Sequence, residues 1–282
     1  MFDEQPPAPS VAQISEREPS SERKSRLAIE TRGLIRRFGD VAAVAGIDLE
    51  VPEGSFYGFL GPNGAGKSTT IKCLTGLLDP TRGSMRILGL DPVADGVEIK
   101  RRVGVVPEDL ALFERLTGEE NLAFVGKVHG LSRQLIEQRT ADLFTVLQLE
   151  RSAASSLVAD YSHGMRKKVA LAAALISAPR LLFLDEPFEG IDAVTSHQIK
   201  VLLQDFVTRG GTIFLTSHVL DIVERLVDHV AIIQHGRLVA QGPVDGLSTP
   251  DGEGERRSLE DIFLDALGAE GHDPNRIEWL TG

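Results

Sequence analysis

At 282 residues, 42% of them hydrophobic, the chain is long enough to bury a core as one large α/β domain or two closely joined subdomains. Its formal net charge of -11, from 30 Lys+Arg against 41 Asp+Glu, argues against a phosphate-backbone binder, and no nucleic acid partner is expected. The single cysteine, Cys73, excludes a disulfide within the chain, no apolar stretch near Met1 reads as a secretory leader, and the longest apolar run, 169–176, is far short of the ~20 residues that span a bilayer, so the expected setting is the cytoplasm and any membrane role needs a partner.

Residues 1–26 carry Pro6, Pro7, Pro9, Pro19 and five serines among few aliphatics, a composition that cannot repay the entropy of ordering, and are expected to form a disordered tail. Short β-like runs follow at 27–29, 47–51 and 55–60, parted by the turn residues Gly39-Asp40 and Pro52-Glu53-Gly54. Directly after the third run comes Gly61-Pro62-Asn63-Gly64-Ala65-Gly66-Lys67-Ser68-Thr69, a G-x-x-x-x-G-K-[ST] pattern set between a strand and a helix beginning near Lys67. Its glycines let the backbone wrap with N–H groups turned inward, and the helix adds its positive dipole end, so the segment suits a phosphate. Lys67 is expected on the β- and γ-phosphates, and the Ser68 hydroxyl, a hard oxygen donor, on Mg²⁺. Ile71, Leu74, Leu77 and Leu78 recur at helical spacing and are expected to anchor this helix, on which Cys73 reads as a small buried apolar residue.

From about 108 to 160 strand character gives way to helical periodicity at 121–129 and 135–149, which predicts an inserted helical subdomain. Strand-like runs return at 181–184, 212–216 and 230–233, alternating with helices as in a mainly parallel sheet with crossover connections. The first of these delivers Asp185 and Glu186 at its end, where α/β sheets bind ligands: Asp185 is expected to hold Mg²⁺, and Glu186 to take a proton from the attacking water. Apolar positions 259, 262, 263, 266 and 267 predict a closing helix, and there is no internal repeat.

Read with what lies between and after them, these residues resemble the ABC ATPase family over about 27–267. Tyr161-Ser162-His163-Gly164-Met165 occupies the position of the family's signature, commonly Leu-Ser-Gly-Gly-Gln; Ser162 and Gly164 match, while Tyr161, His163 and Met165 depart. Ser162 reads as an N-cap whose following amides form an anion site, which in the family binds the γ-phosphate held by the other protomer. Phe38 matches the aromatic that stacks on adenine, with core packing as the competing reading. Glu189-Gly190-Ile191-Asp192 resembles the D-loop that crosses the dimer interface, His218 the switch histidine at a strand end, and Glu108 stands where the Q-loop normally has glutamine.

The resemblance implies an α/β fold: a P-loop ATPase core with a mainly parallel sheet, an N-terminal antiparallel β subdomain, a helical subdomain over about 108–165, and a C-terminal tail over 268–282. It also implies ATP and Mg²⁺ as cofactors, with Glu108 as a further metal ligand, and pairing with a second cassette, identical or different. The partner is expected to be a transmembrane permease on whose cytoplasmic face the chain sits peripherally. Glu108, the Tyr-Ser-His-Gly-Met signature and the Ser-Leu-Glu-Asp-Ile-Phe ending look like the exporter branch with a separately encoded permease. The alternatives are a soluble ATPase of the family acting on a macromolecule, against which stand one cassette and no sustained heptads, and a low-turnover scaffold, against which stands Glu186.

Overall fold

In the computed structural model, which describes residues 26–149, 156–247 and 258–268, the strand residues sort by alternation onto two cores. Leu27–Phe38 (β1), Val41–Ile47 (β2), Glu50–Pro52 (β3) and, later in the chain, Arg82–Ile87 (β5) form an antiparallel sheet in which β1 pairs with the other three. Phe56–Leu60 (β4), Val103–Val106 (β6), Leu181–Asp185 (β7), Thr212–Ser217 (β8), His229–Gln234 (β9) and Arg237–Pro243 (β10) form the second sheet, ordered β10-β9-β4-β8-β7-β6. It is parallel except for the β9–β10 hairpin.

Residues of β4, β7 and β8 are buried throughout, as expected of parallel strands covered on both faces. Phe56, Leu60, Leu182, Leu184, Ile213 and Leu215 face one core. Tyr57, Phe59, Leu181, Phe183 and Phe214 face the other, where they meet the antiparallel sheet and the first helix, Lys67–Leu74 (α1). Phe214 centres an aromatic group there, its ring 5.3 Å from Phe59, 5.8 Å from Phe183 and 5.9 Å from Tyr57.

The other helices are Gly96–Arg102 (α2), Gly118–Val128 (α3), Arg133–Val146 (α4), His163–Leu175 (α5), Ala193–Thr208 (α6) and Leu259–Ala266 (α7), with two single turns at Leu220–Val223 and Val244–Leu247. Most start on a side-chain cap. Thr117 and Glu120 form a capping box on α3, Ser258 and Asp261 one on α7, and Ser132, Ser162 and Asp192 cap α4, α5 and α6. On α5, Val169, Ala172 and Ile176 are fully buried and Met165 packs beside them, the single face expected from their spacing.

The antiparallel entrance, the mainly parallel sheet and the helical insert match the expected fold class, with local differences. The run 47–51 is two strands, because the Thr31 hydroxyl donates to Ile47 O and accepts from Leu49 N, each at 2.9 Å, replacing ladder bonds across the break. Helix α1 stops at Leu74, and the amides of Leu77 and Leu78 both fold back on the Lys72 carbonyl. Leu78 still packs on the core, but Leu77 is 64% exposed and anchors nothing. Strands β2, β5, β6 and β10 carry too much Gly, Ala, Arg or Pro, or are too short, to stand out as apolar alternation. The expected tails lie outside the described residues, apart from Arg26 and Gly268.

Candidate functional site

Strands β4, β7 and β8 run in parallel register, Leu60 beside Ser217 and Asp185 beside Thr216. The segments that leave their carboxyl ends, starting at Gly61, Glu186 and His218, therefore emerge side by side. They enclose a cleft of about 320 Å³, lined from the predicted set by Asn63, Gly64, Gly66, Lys67, Ser68, Thr69, Glu108, Glu186 and His218. Two further residues line it: Glu189, named above only as part of the D-loop-like run, and Ala43, which the sequence did not single out. Ala43 reaches the cleft only through the packing of β2.

At the start of α1 the backbone itself faces the cleft. Gly66 is the N-cap at φ 110°, with no side-chain cap, so the first-turn amides are left for an anion. A Cβ on Gly66 would lie 2.3 Å from Ala43 O, and one on Gly61 2.4 Å from Ile233 O, so both glycines are required by close backbone approach. The loop is held by main-chain bonds: Gly236 N donates to Ala65 O at 2.9 Å, and Ala45 N donates to Gly236 O at 2.8 Å. The tip of the β9–β10 hairpin thus joins the loop to β2. Pro62 and Ala65 shape this turn, Ala65 N donating to Pro62 O at 3.1 Å. Cys73 is fully buried two turns into α1, and burial pushes its thiol up from the usual range.

Lys67 is 7% exposed; its Nζ donates to Gly61 O at 2.8 Å and lies 3.4 Å from Glu186 Oε1. That same oxygen is 3.0 Å from His218 Nδ1, and Glu186 Oε2 accepts from the His218 amide at 3.3 Å. Lysine, glutamate and histidine therefore meet at one buried carboxylate. Asp185, 4% exposed, sits behind them and accepts a short hydrogen bond from the Thr216 hydroxyl, so it backs the cleft without lining it. Ser68 and Glu108 line the cleft and Asp185 lies buried behind it, and all three carry hard oxygens of the kind Mg²⁺ takes. Among the described residues no group of three or more His, Cys, Asp and Glu side chains is placed to hold a metal ion by itself.

Ser162, Gly164 and Asp192 do not line this cleft. They gather in a second cluster, where Ser162 caps α5 by accepting from Met165 N at 3.2 Å and Gly164 packs on the Thr195 side chain. Asp192 accepts from Val194 N and Thr195 N at 2.9 Å and from the Thr195 hydroxyl at 2.7 Å, bonds that hold its carboxyl below the usual range. The His163 ring lies against Gly190. Phe38 is 47% exposed at the end of β1 under the Arg36 guanidinium, 4.6 Å from its ring centroid, so the core-packing reading of this aromatic is excluded.

Comparison with known proteins gives one consistent result. The family model described as ABC transporter matches residues 44–189. The chain is 40% identical over 222 residues to the daunorubicin/doxorubicin resistance ATP-binding protein DrrA of Streptomyces peucetius, covering 79% of this chain and 67% of that protein. It is 39% identical over 219 residues to the Nod factor export ATP-binding protein I of Rhizobium sp. (strain N33), covering 77% and 71%. A solved structure described as the ATP binding subunit of an ABC transporter superposes with a TM-score of 0.78 at 32% identity, covering 85% of this chain and 99% of that one.

Proposed function

This chain belongs to the ABC transporter family, whose ATP-binding subunits it resembles over 79% of its length, and we propose that it hydrolyses ATP to drive export through a separately encoded permease. The observation that carries this reading is the Glu186 carboxylate at the mouth of the phosphate loop, 3.4 Å from Lys67 Nζ and 3.0 Å from His218 Nδ1. The loop amides and Lys67 bind the β- and γ-phosphates, and arrival of that polyanion draws Lys67 off Glu186. Glu186 then accepts a proton from water as the water oxygen attacks the γ-phosphorus and the bond to the ADP oxygen breaks. His218 orients the carboxylate and reaches the γ-phosphate. Ser68, Asp185 and Glu108 would hold Mg²⁺, which when bound offsets the charge of the β- and γ-phosphates. Phe38 is exposed as an adenine-stacking ring must be.

Ser162, Gly164 and Asp192 lie outside the cleft of their own chain, which favours a second cassette, identical or different, that brings its α5 N-terminus to the γ-phosphate. A hollow of about 500 Å³ lined by Val105, Pro107, Leu110, Phe113, Phe124 and Ala173 begins beside Glu108. Phe113 and Phe124 are half-exposed there and meet edge to face at 4.8 Å. This apolar floor suits a permease segment, and its neighbourhood to Glu108 would carry strain between transporter and nucleotide. Among the described residues no helix is long and apolar enough to cross a membrane; the place proposed for the chain, peripheral on the permease at the cytoplasmic face, rests on its likeness to transporter ATP-binding subunits.

Glu186→Gln tests the reading. Loss of a positioned base costs about 10² to 10⁴ in rate. ATP should still bind, and a long-lived ATP-bound dimer should accumulate on gel filtration. Phosphate release at the wild-type rate would show that another group takes the proton.

A further inference from the structure

Glu186 has a backbone conformation that it would not hold unaided. Its φ of 49° is left-handed, which costs a residue with a Cβ roughly 1–2 kcal/mol. The peptide groups on both sides are gripped. Glu186 N donates to Thr216 O at 3.3 Å and to the Thr216 hydroxyl at 3.2 Å, while Glu186 O accepts from Lys167 Nζ at 2.7 Å. Lys167 lies on α5, five residues past the Ser162 cap, and is only 5% exposed. Burying an ammonium is costly unless it is paired and hydrogen-bonded. Burial pushes it below the usual lysine range, while Glu189, Glu186 and Glu108 pull the other way and favour the charged form.

Those three glutamates all line the cleft, whereas Lys67 is the only lysine or arginine among its lining residues. When Lys67 turns to the phosphates, the Glu186 side of the cleft needs another positive charge, and Lys167 is the one behind it.

We propose that Lys167 is a positioning residue for hydrolysis: it clamps the Glu186 peptide through its carbonyl and supplies the buried positive charge that lets Glu108, Glu186 and Glu189 share one wall. The proposal rests on Glu186 being the base. Because Ser162 caps α5, one helix joins the cap offered to a neighbouring cassette with the clamp on this chain's own base. Closure of one site is thereby felt at the other.

The test uses the full chain and compares Lys167→Met, Lys167→Gln and Lys167→Arg by steady-state ATPase, ATP binding and thermal melting, with Lys167→Met repeated in a Glu186→Gln background under single-turnover conditions. Loss of the clamp lets the base shift by a fraction of an ångström to an ångström, so kcat should fall about 10- to 100-fold in Lys167→Met. ATP affinity should stay within about threefold. Lys167→Arg, which keeps charge and donor, should recover most of the rate. In the Glu186→Gln background Lys167→Met should cause no further slowing, since both changes act on the same group. Equal slowing in both backgrounds, or a lower melting temperature and weaker ATP binding with kcat intact, overturns the proposal. Should Lys167→Met fail to fold, Lys167→Gln against Lys167→Arg decides by the same criteria. Normal turnover of Glu186→Gln alone removes the base assignment and this inference with it, whereas slow Glu186→Gln with wild-type kcat in Lys167→Gln and Lys167→Met removes only the inference.

Discussion

Replacing Gly66 with alanine should damage fold and nucleotide binding together. A Cβ at this position lies 2.3 Å from the Ala43 carbonyl oxygen, against an ordinary carbon–oxygen contact of about 3.3 Å, so loop and strand must part by about 1 Å. Ala43 cannot readily retreat. Its strand pairs with β1, with Val44 opposite Arg36 and Ala42 opposite Arg37, and Ala45 is bonded to Gly236. The φ of 110° adds a conformational cost on the order of 1–3 kcal/mol. A total loss of about 2–3 kcal/mol lowers the melting temperature by about 5–10 °C for a domain of this size. A shift of the helix start also spoils at least one charge-assisted amide–phosphate bond, worth about 1.5–3 kcal/mol, so ATP affinity falls at least about tenfold. Gly130→Ala is the control: φ is 74° and nothing lies within 4 Å of the added carbon, leaving the conformational cost alone. Calorimetric melting and ATP titration of both variants measure the difference. If Gly66→Ala melts like Gly130→Ala and binds ATP like the wild type, the loop does not depend on its contact with β2.

Phe38→Ala should weaken ATP binding by the worth of one base–aromatic stack, about 1–3 kcal/mol, while Phe38→Tyr should bind nearly normally and neither should move the melting temperature much, because the ring is half-exposed; equal affinity of all three proteins removes Phe38 from the site. Glu108→Gln should keep hydrolysis but raise the Mg²⁺ concentration for half-maximal rate, since an amide oxygen is a weaker ligand than a carboxylate. Identical Mg²⁺ titrations of the wild type, Glu108→Gln and Glu108→Ala would exclude it as a ligand.

The parts of the molecule legible in the sequence are those where chemistry and periodicity coincide. Gly61 to Thr69 could be read because a glycine turn, a lysine and a hydroxyl sit between strand and helix, and 181–184 because a fully buried strand must be apolar on both faces. Asp185 and Glu186 follow from that strand end. Strand β10 was hidden because its residues alternate at a half-buried edge and end in Gly242 and Pro243, and β5 because most of its side chains face solvent. Ala43 had no chemical signature; its carbonyl matters only once β2 lies under the loop. Lys167 is the middle one of three consecutive basic residues, 166–168, and nothing in its spacing shows that it turns inward to the Glu186 carbonyl.

The join at Gly236 bears on how such a chain can be cut and recombined. Because the phosphate loop is tied to β2 through backbone atoms of the 235–236 turn, the turn and the pieces it joins are more than 170 residues apart yet must agree in shape rather than in side chain. A chimera that exchanges residues 26–53 with those of another member should tolerate changed side chains at the seam but not a lengthened hairpin tip. Transplants that carry the 235–236 turn along with β2 are therefore the ones to build first.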